Sequence, residues 1–454
     1  MKGIGGHKEE AGHSNKLDPQ DAWLPITESR HGNAYCSAFH ALSSGIGVQA
    51  LVLPLAFPTL GWTWGITCLC IAFSWQLYTL WLLIHLHESH PAGARHSRYL
   101  RLATAAFGEK VGKAVALLPI MYLSGGTCVT LIMIGGGAMK AFFQTVGEKG
   151  HALTTTEWYF LFTAIATLLA QLPNLNSMAA VSLLGALTGV AYCTLIWAVS
   201  VVQGKLLPLP PSPHQSLPAR VFGVFNALGV IAFTFRGHNL VLEIQGTLPS
   251  DTDRPSHLAM WRGVKFAYLI IASCVLPLAI GGYWAYGNLV TMLPGNGGML
   301  SALHKYHEHD TTKTMLACAS LLVVINSVSS FQIYAMPVFD NLEVRYTSRK
   351  KRACPRRLRA ALRVFFGCLA YFIAVALPFL PSLAGLLGGF ALPVTLAYPC
   401  FMWLKMKKPS KYSTNWWLSW MLGVCGVVLS VLVIAGAIWG IAAHGINTNF
   451  FDPH

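Results

Sequence analysis

The stretch Phe233-Thr234-Phe235-Arg236-Gly237-His238-Asn239 interrupts an otherwise apolar run from Val221 to Ile244. An arginine at the centre of a membrane helix costs about 2.5–3.5 kcal/mol on insertion scales. Two interpretations fit the stretch. Either the span ends earlier and Arg236 reaches an interface, or the helix is broken and lines a polar site near the middle of a membrane.

Composition places the whole chain in a membrane. The 454 residues are 54% hydrophobic and only 11% charged, whereas soluble domains carry about 25% charged residues. The first 30 residues are polar and contain no short apolar core of the kind found in signal peptides, so we expect no cleaved signal. The composition therefore predicts an all-α polytopic membrane protein.

Apolar runs of about 20 residues, the length needed to cross the hydrocarbon core, recur along the chain. We predict eleven transmembrane helices, over residues 35–58, 61–86, 113–143, 157–173, 177–203, 220–242, 263–286, 313–340, 363–382, 384–404 and 415–443.

The basic residues predict how these spans are oriented. With the amino terminus inside, the inner ends and loops hold 25 of the 32 Lys and Arg residues, the outer ones hold six, and Arg236 remains within a span. Cytoplasmic loops are enriched in this way. The basic segment 345–363 is therefore interpreted as a cytoplasmic loop that meets anionic lipid, rather than as a nucleic-acid site. We expect a cytoplasmic polar tail at 1–34, a transmembrane domain at 35–443 and a short extracellular tail at 444–454.

A second interrupted stretch, Leu42-Ser43-Ser44-Gly45-Ile46-Gly47-Val48-Gln49, lies in the first span. Span 1 opens a first set of five spans (about 35–203) and span 6 opens a second (about 220–404), with an extra helix at 415–443. Interrupted helices at matching places in two halves indicate a transporter binding site. Because freed N–H groups favour a carboxylate and freed C=O groups an ammonium, the pair suits an α-amino acid.

Other spans offer further polar groups. Tyr122 and Gly126 in span 3 and Asn326 and Ser330 in span 8 are candidates to line the site, although a polar stripe can equally join helices together. The segment Gly185–Gly189 fits close helix packing. Three titratable groups at depth are candidates for proton coupling, namely His40, His238 and Glu243, and His238 is the more suitable because histidine titrates in the physiological range. A neutral histidine bonded to backbone is an open alternative for His238.

Two loops carry specific expectations. Segment 89–112 has a helical pattern around Tyr99–Ala103 and predicts a short surface helix. Segment 287–312 is long and Gly-rich, which fits either a lid or a loose surface loop. Its His304, His307, His309 and Asp310 are either metal ligands or, more commonly for such loops, solvated side chains.

Several motifs together resemble the amino acid/auxin permease family, and most closely its plant lysine/histidine transporter-like branch. They are Gly237-His238-Asn239-Leu240-Val241-Leu242-Glu243-Ile244-Gln245, Ser37-Ala38-Phe39-His40, Met260-Trp261-Arg262-Gly263, Phe331-Gln332-Ile333-Tyr334-Ala335-Met336-Pro337-Val338-Phe339-Asp340 and Tyr398-Pro399-Cys400. The resemblance implies a five-plus-five inverted-repeat, LeuT-like fold with broken helices 1 and 6, and proton-driven import of amino acids at a plasma membrane. It places the substrate-binding stretches on Ser43, Ser44, Gly45, Ile46 and Gly47, and on Phe233, Thr234, Phe235, Arg236 and Gly237.

Our leading hypothesis is a proton-coupled symporter for neutral or acidic amino acids, because Arg236 would repel a cationic side chain. It needs an amino acid, a proton and a lipid bilayer, and we expect no cofactor, no metal, no nucleic acid and no obligate protein partner. The alternatives are an auxin carrier and an amino acid sensor that does not transport. An enzyme is the weakest hypothesis, since His87-Glu88-Ser89-His90 is one residue short of the HExxH spacing.

Overall fold

The structure, a computed structural model, describes residues 32–89, 95–147, 153–171, 179–206, 216–235, 237–251, 253–293, 298–376 and 380–444. Within those ranges every regular element is helical. Nearly all of the predicted tail 1–34, most of the predicted tail 444–454, and Arg236 lie outside the described residues.

The α-helices are α1 Ala34–Gly45, α2 Gln49–Val52, α3 Phe57–Leu86, α4 Tyr99–Phe107, α5 Glu109–Val146, α6 Thr155–Leu169, α7 Ala179–Val202, α8 Leu217–Thr234, α9 His238–Gly246, α10 Ser256–Tyr286, α11 Met299–His307, α12 Lys313–Lys350, α13 Arg356–Ala376, α14 Leu380–Leu392, α15 Tyr398–Lys407 and α16 Thr414–His444. Short 3-10 segments at Leu53–Ala56 and Gly287–Met292 and a π-helical turn at Pro393–Ala397 join neighbouring helices.

Nine helical segments of the described chain are long and apolar enough to cross a membrane, by length and composition alone. Two features separate this number from the eleven predicted spans. Residues Ala34–Leu86 count as one segment, although the backbone at Gly61 (φ 72°, ψ −180°) leaves helical geometry where the sequence predicts a boundary. Helix α6 has 15 residues, or about 22 Å, which is short of the ~30 Å core.

Helix α12 has 38 residues and is as long as α5. It is about 57 Å long, packs most extensively against α5 and α7, and also touches α1. The glycines of α7 permit this approach, because a Cβ atom built on Gly185 would lie 2.5 Å from the Ser43 hydroxyl and 2.8 Å from Ser329. The close-packing interpretation of Gly185–Gly189 is thereby confirmed.

The two ends of the bundle differ. One end, called here the basic end, carries Arg98, the carboxyl end of α12, the start of α13 and the Lys405–Lys411 segment. The predicted surface helix is present there as α4.

At the opposite end, segment 287–312 contains helix α11. Its Met299, Ala302 and Leu303 are buried, so this part of the segment is docked rather than loose.

Candidate functional site

The first interruption lies between α1 and α2. Helix α1 ends at Gly45, Ile46 is extended (φ −102°, ψ 90°), and α2 begins at Gln49. The Ile46 N–H still donates to the Leu42 carbonyl at 2.7 Å, so the helical pattern persists to that residue. The non-helical residues are therefore 46–48, which lie at the end of the predicted stretch.

Donors from α12 occupy the carbonyl groups at the end of α1. The Ser330 hydroxyl donates to Ser43 O (3.1 Å), the Tyr334 hydroxyl to Ser44 O (2.7 Å), and the Asn326 amide to Ile46 O (3.3 Å). The three donors lie four residues apart and so share one face of α12. The predicted candidates Asn326 and Ser330 thus support the interruption by satisfying its carbonyls.

Gln49 provides a further support from within the same span. Its side-chain amide, which is fully buried, donates to Ser44 O (3.1 Å) and Gly45 O (3.2 Å). Every carbonyl from Ser43 to Ile46 therefore has a side-chain donor. A buried carbonyl without a partner costs roughly 1–3 kcal/mol, so these bonds allow the helix to stop inside the bundle.

The amide groups of the interruption are different. In the described chain no hydrogen bond reaches the backbone N–H of Gly47 or Val48, and both residues are buried. Two adjacent unpaired N–H groups form a local site that favours an anion. The first interruption therefore offers donors to a ligand, while its acceptors are already engaged.

The second interruption separates α8 from α9. Helix α8 ends at Thr234, Phe235 has φ −99° and ψ 77°, and α9 begins at His238. Gly237 has φ +136°, a conformation that only glycine adopts without strain. Phe233 is fully buried, and the Thr234 hydroxyl donates to Val230 O within its own helix (3.1 Å).

The last turn of α1, directly before the first interruption, meets the second interruption at Ser44 and Gly237. A Cβ atom built on Gly237 would lie 3.8 Å from the Ser44 hydroxyl oxygen. Both residues line a cavity of about 10 Å³, large enough for one water molecule. The other lining residues are Ala41, Leu80, Val241, Ile244, Met260, Val264 and Tyr268. The structure thus brings the two predicted stretches together in a closed arrangement.

Two predicted lining residues pack elsewhere. The Tyr122 ring lies 4.5 Å from that of Phe390, and Gly126 abuts Leu387, so both residues contact α14. Neither lines the cavity between the interruptions. Their role in substrate binding stays a prediction.

Both candidate histidines are fully enclosed and bonded to hydroxyl groups. His40 Nδ1 lies 2.8 Å from the Ser182 hydroxyl of α7. His238 Nε2 lies 2.9 Å from the Thr79 hydroxyl, which itself donates to the Trp75 and Gln76 carbonyls. Because the Thr79 hydroxyl hydrogen points to these carbonyls, its oxygen can accept a hydrogen bond from His238 Nε2–H.

Glu243 lies in a different environment, next to a buried ion pair at the basic end. Arg98 Nε is 2.5 Å from Asp340 Oδ2, and its terminal nitrogen is 3.2 Å from Asp340 Oδ1. Glu243 is 4% exposed, lies within electrostatic range of both charges, and its buried Oε2 has no hydrogen-bond partner. Two carboxylates therefore share one guanidinium.

Sequence reasoning missed three contributors to this site. Gln49 and Tyr334 carried a signal, because a glutamine inside an apolar run and a tyrosine two turns after Asn326 must bond to something. The Arg98–Asp340 pair joins residues 242 positions apart, and the sequence held no sign of that pairing.

The histidines of segment 287–312 do not form a metal site in the described chain. His304 Nε2 bonds to the Ser320 hydroxyl at 2.8 Å, and His307 is 1% exposed beside the Tyr286 ring (5.4 Å). The expectation of solvated side chains is therefore wrong for His307, because α11 folds that face against α10.

Comparisons with other proteins give consistent results. Residues 30–443 match the family described as "Transmembrane amino acid transporter protein". Lysine histidine transporter-like 8 of Arabidopsis thaliana is 55% identical over 453 residues, covering 99% of this chain and 86% of that protein. Lysine histidine transporter-like 7 of the same plant is 43% identical, covering 98% and 92%.

Solved structures of low sequence identity share the fold. A nucleobase-cation-symport-1 family transporter in a closed conformation superposes with a TM-score of 0.59 at 12% identity, covering 96% of this chain and 97% of that one. A Na⁺-coupled sialic acid symporter in an outward-open state gives 0.57 at 12% identity, covering 92% and 91%.

Proposed function

Because this chain belongs to the family of transmembrane amino acid transporter proteins, we propose that it is a proton-coupled symporter that imports neutral or acidic amino acids across the plasma membrane by alternating access. The family is one of transporters rather than enzymes. The observation that carries the proposal is the contact, inside the bundle, between Ser44 in the last turn of α1, which leads into the first interruption, and Gly237 in the second interruption.

The satisfied and unsatisfied backbone groups assign the two ends of an α-amino acid. The unpaired N–H groups of Gly47 and Val48 suit its carboxylate. The carbonyls from Ser43 to Ile46 already have donors, so the ammonium is assigned to the second interruption, at the carboxyl end of α8. The ~10 Å³ cavity must widen to admit a substrate, as alternating access requires.

We further propose eleven spans with a cytoplasmic amino terminus. In this reading Ala34–Leu86 contains two spans that meet at Gly61, and α6 is a short span packed against α5 and α13. The basic end is then cytoplasmic, in keeping with its excess of Lys and Arg. The likeness of fold to two other symporters supports this arrangement.

Glu243 is our candidate for the coupling proton. Although His238 Nδ1, like Glu243 Oε2, is buried without a hydrogen-bond partner, Glu243 lies beside the buried Arg98–Asp340 ion pair, in which Asp340 holds the guanidinium. Because one guanidinium cannot fully compensate two carboxylates, a proton on Glu243 stabilises the closed basic end. Opening of that end separates the pair, admits water and releases the proton.

Uptake into proteoliposomes of the purified protein tests the substrate class. Radiolabelled glutamine is competed by each of the twenty amino acids and by indole-3-acetate, with the outside acidic. We expect neutral and acidic amino acids to compete and indole-3-acetate not to. Binding without accumulation would instead indicate a sensor.

A second specificity is favoured by the relatives' names, which refer to lysine and histidine. The same uptake competition experiment decides between the cationic specificity and the neutral or acidic one. Strong competition by lysine and histidine, with none by glutamate, would replace the neutral or acidic assignment, which rests on Arg236.

A further inference from the structure

A second cavity of the described chain lies away from the two interruptions. It measures about 380 Å³ and lies at the end of the bundle opposite to the basic end, between α11, α5 and α2. Ligand sites in proteins occupy about 300–1,000 Å³. The cavity is therefore of a size that holds a small molecule, unlike the ~10 Å³ space between the interruptions.

One wall of the cavity is apolar. Leu51 and Val52 of α2 and Met133, Ile134 and Ala138 of α5 contribute side chains to it. Gly137 lies in the same wall, and a Cβ atom built on it would have no heavy atom within 4 Å. This wall suits an aliphatic group and leaves room beside Gly137.

The opposite wall is polar and comes from one face of α11. Ser301, His304, Lys305 and Glu308 follow the three- and four-residue spacing of a single helix face, and all four line the cavity. Lys305 and Glu308 are exposed neighbours of opposite charge. The Lys305 ammonium lies 5.7 Å from the centre of the Tyr306 ring, and Glu308 lies within electrostatic range of His304, but neither forms an ion pair with any other described residue. A zwitterion presents the complementary pair of charges.

The cavity is lined by residues of α2, the helix that directly follows the first interruption. Leu51 and Val52 follow Val48 by one helical turn, and a Cβ atom built on Gly298, which precedes α11, would lie 3.2 Å from the Leu51 carbonyl oxygen. A ligand in the cavity therefore touches both α11 and the segment that leads into the interruption.

We propose that this outer cavity is a second binding site for a zwitterionic amino acid with an aliphatic side chain, with Lys305 contacting its carboxylate and Glu308 its ammonium. The side chain lies against Leu51, Val52 and Met133. The inference rests on the proposed function, because it takes the transported substrate class as its ligand. In that arrangement the site receives the amino acid before the space between the interruptions opens.

Equilibrium binding of radiolabelled leucine to the purified full-length protein in nanodiscs tests the site by counting molecules bound per chain. We expect two for the unmodified chain. We expect one for Gly137→Phe, whose ring fills the cavity without a backbone clash, and two for its matched control Gly137→Ala. Glu308→Gln and Lys305→Met should each weaken leucine binding at one of the two sites at least tenfold. Lys313→Met, which replaces an exposed lysine outside the cavity, should leave binding at both sites unchanged.

A single molecule per chain in the unmodified protein overturns the inference, and so does a count of two that persists in Gly137→Phe and is unaffected by Glu308→Gln. If Gly137→Phe fails to fold, which size-exclusion chromatography reports, the two charge variants decide alone. Leucine uptake measured in parallel separates the two proposals. Accumulation with one site per chain refutes the second site only, whereas absence of accumulation for any amino acid refutes the proposed function.

Discussion

The ion pair at the basic end leads to a graded prediction about gating. Arg98 and Asp340 are buried, with side chains 7% and 4% exposed, and Arg98 lies within range of Glu243 as well. Removing one partner of a buried pair costs about 3–5 kcal/mol. If the pair exists only while the basic end is closed, Arg98→Met lowers the stability of the closed state by that amount. A change of about 3 kcal/mol corresponds to roughly a 150-fold shift in the equilibrium.

Asp340→Asn should have a smaller effect. Arg98 can then turn to Glu243, so the loss falls to about 1.5–3 kcal/mol, the value of a hydrogen bond to a charged group. In Arg98→Met, by contrast, both carboxylates lose their cation. We therefore expect Arg98→Met to open the basic end more often than Asp340→Asn does.

Alkylation of a reporter cysteine measures this opening. Ser97 is 5% exposed and abuts Gly246, so Ser97→Cys should react with a membrane-impermeant maleimide only when the basic end opens. We expect the reaction rate to rise roughly 100-fold with Arg98→Met and less with Asp340→Asn, in line with the shift above. The control is Lys113→Met, which removes a cation from an exposed ion pair with Glu109. Equal rates in all variants, or a larger effect of Asp340→Asn, would refute the gating role of the pair.

Three further predictions concern the supports of the site and the docking of α11. Gln49→Ala removes the donor to two carbonyls and should lower stability by about 1–3 kcal/mol, seen as a lower Tm in detergent, whereas Gln171→Ala, whose side chain is exposed, should not. Tyr334→Phe removes the bond to Ser44 O and should cost about 0.5–1.5 kcal/mol; a Tm equal to that of the unmodified chain would show that this bond is not needed. Burial lowers the pKa of His307 below its ordinary value, against an opposing effect of the Asp310 carboxylate. The folded state therefore favours neutral His307, so α11 should be stable above about pH 6.5 and lose protection from hydrogen exchange as the pH falls below it. His307→Gln should reduce that dependence and leave the part due to His304, whose pKa burial also lowers, whereas His309→Gln, at an exposed position, should retain it in full.

The location of the two interruptions could be predicted from composition alone. Serine, glycine and glutamine inside apolar runs weaken a helix wherever they fall, and both stretches named from the sequence meet in the structure. Their register could not be predicted. The non-helical residues begin at Ile46 and Phe235, later than the predicted stretches that start at Ser43 and Phe233.

This difference between predicted and observed register arises from tertiary contacts. Donors from α12 keep the last carbonyls of α1 satisfied in helical positions, and those donors lie about 280 residues away. The Arg98–Asp340 pair could not be predicted for the same reason, because a pairing between residues distant in sequence leaves no local sequence pattern. For segment 287–312 the glycines left two alternatives open, a lid and a loose surface loop. The buried face of Met299, Ala302 and Leu303 excludes a loose loop for the part that forms α11.

The most direct test of the central claim is the concentration ratio of substrate that the purified protein sustains across a proteoliposome membrane. With the membrane potential clamped at zero and the outside acidic, symport of one proton predicts an internal excess that approaches tenfold for each pH unit imposed, since one unit is worth 1.36 kcal/mol. Glu243→Gln should bind substrate yet bring the ratio to one. A ratio that stays at one in the unmodified protein at every imposed gradient would contradict proton-coupled symport.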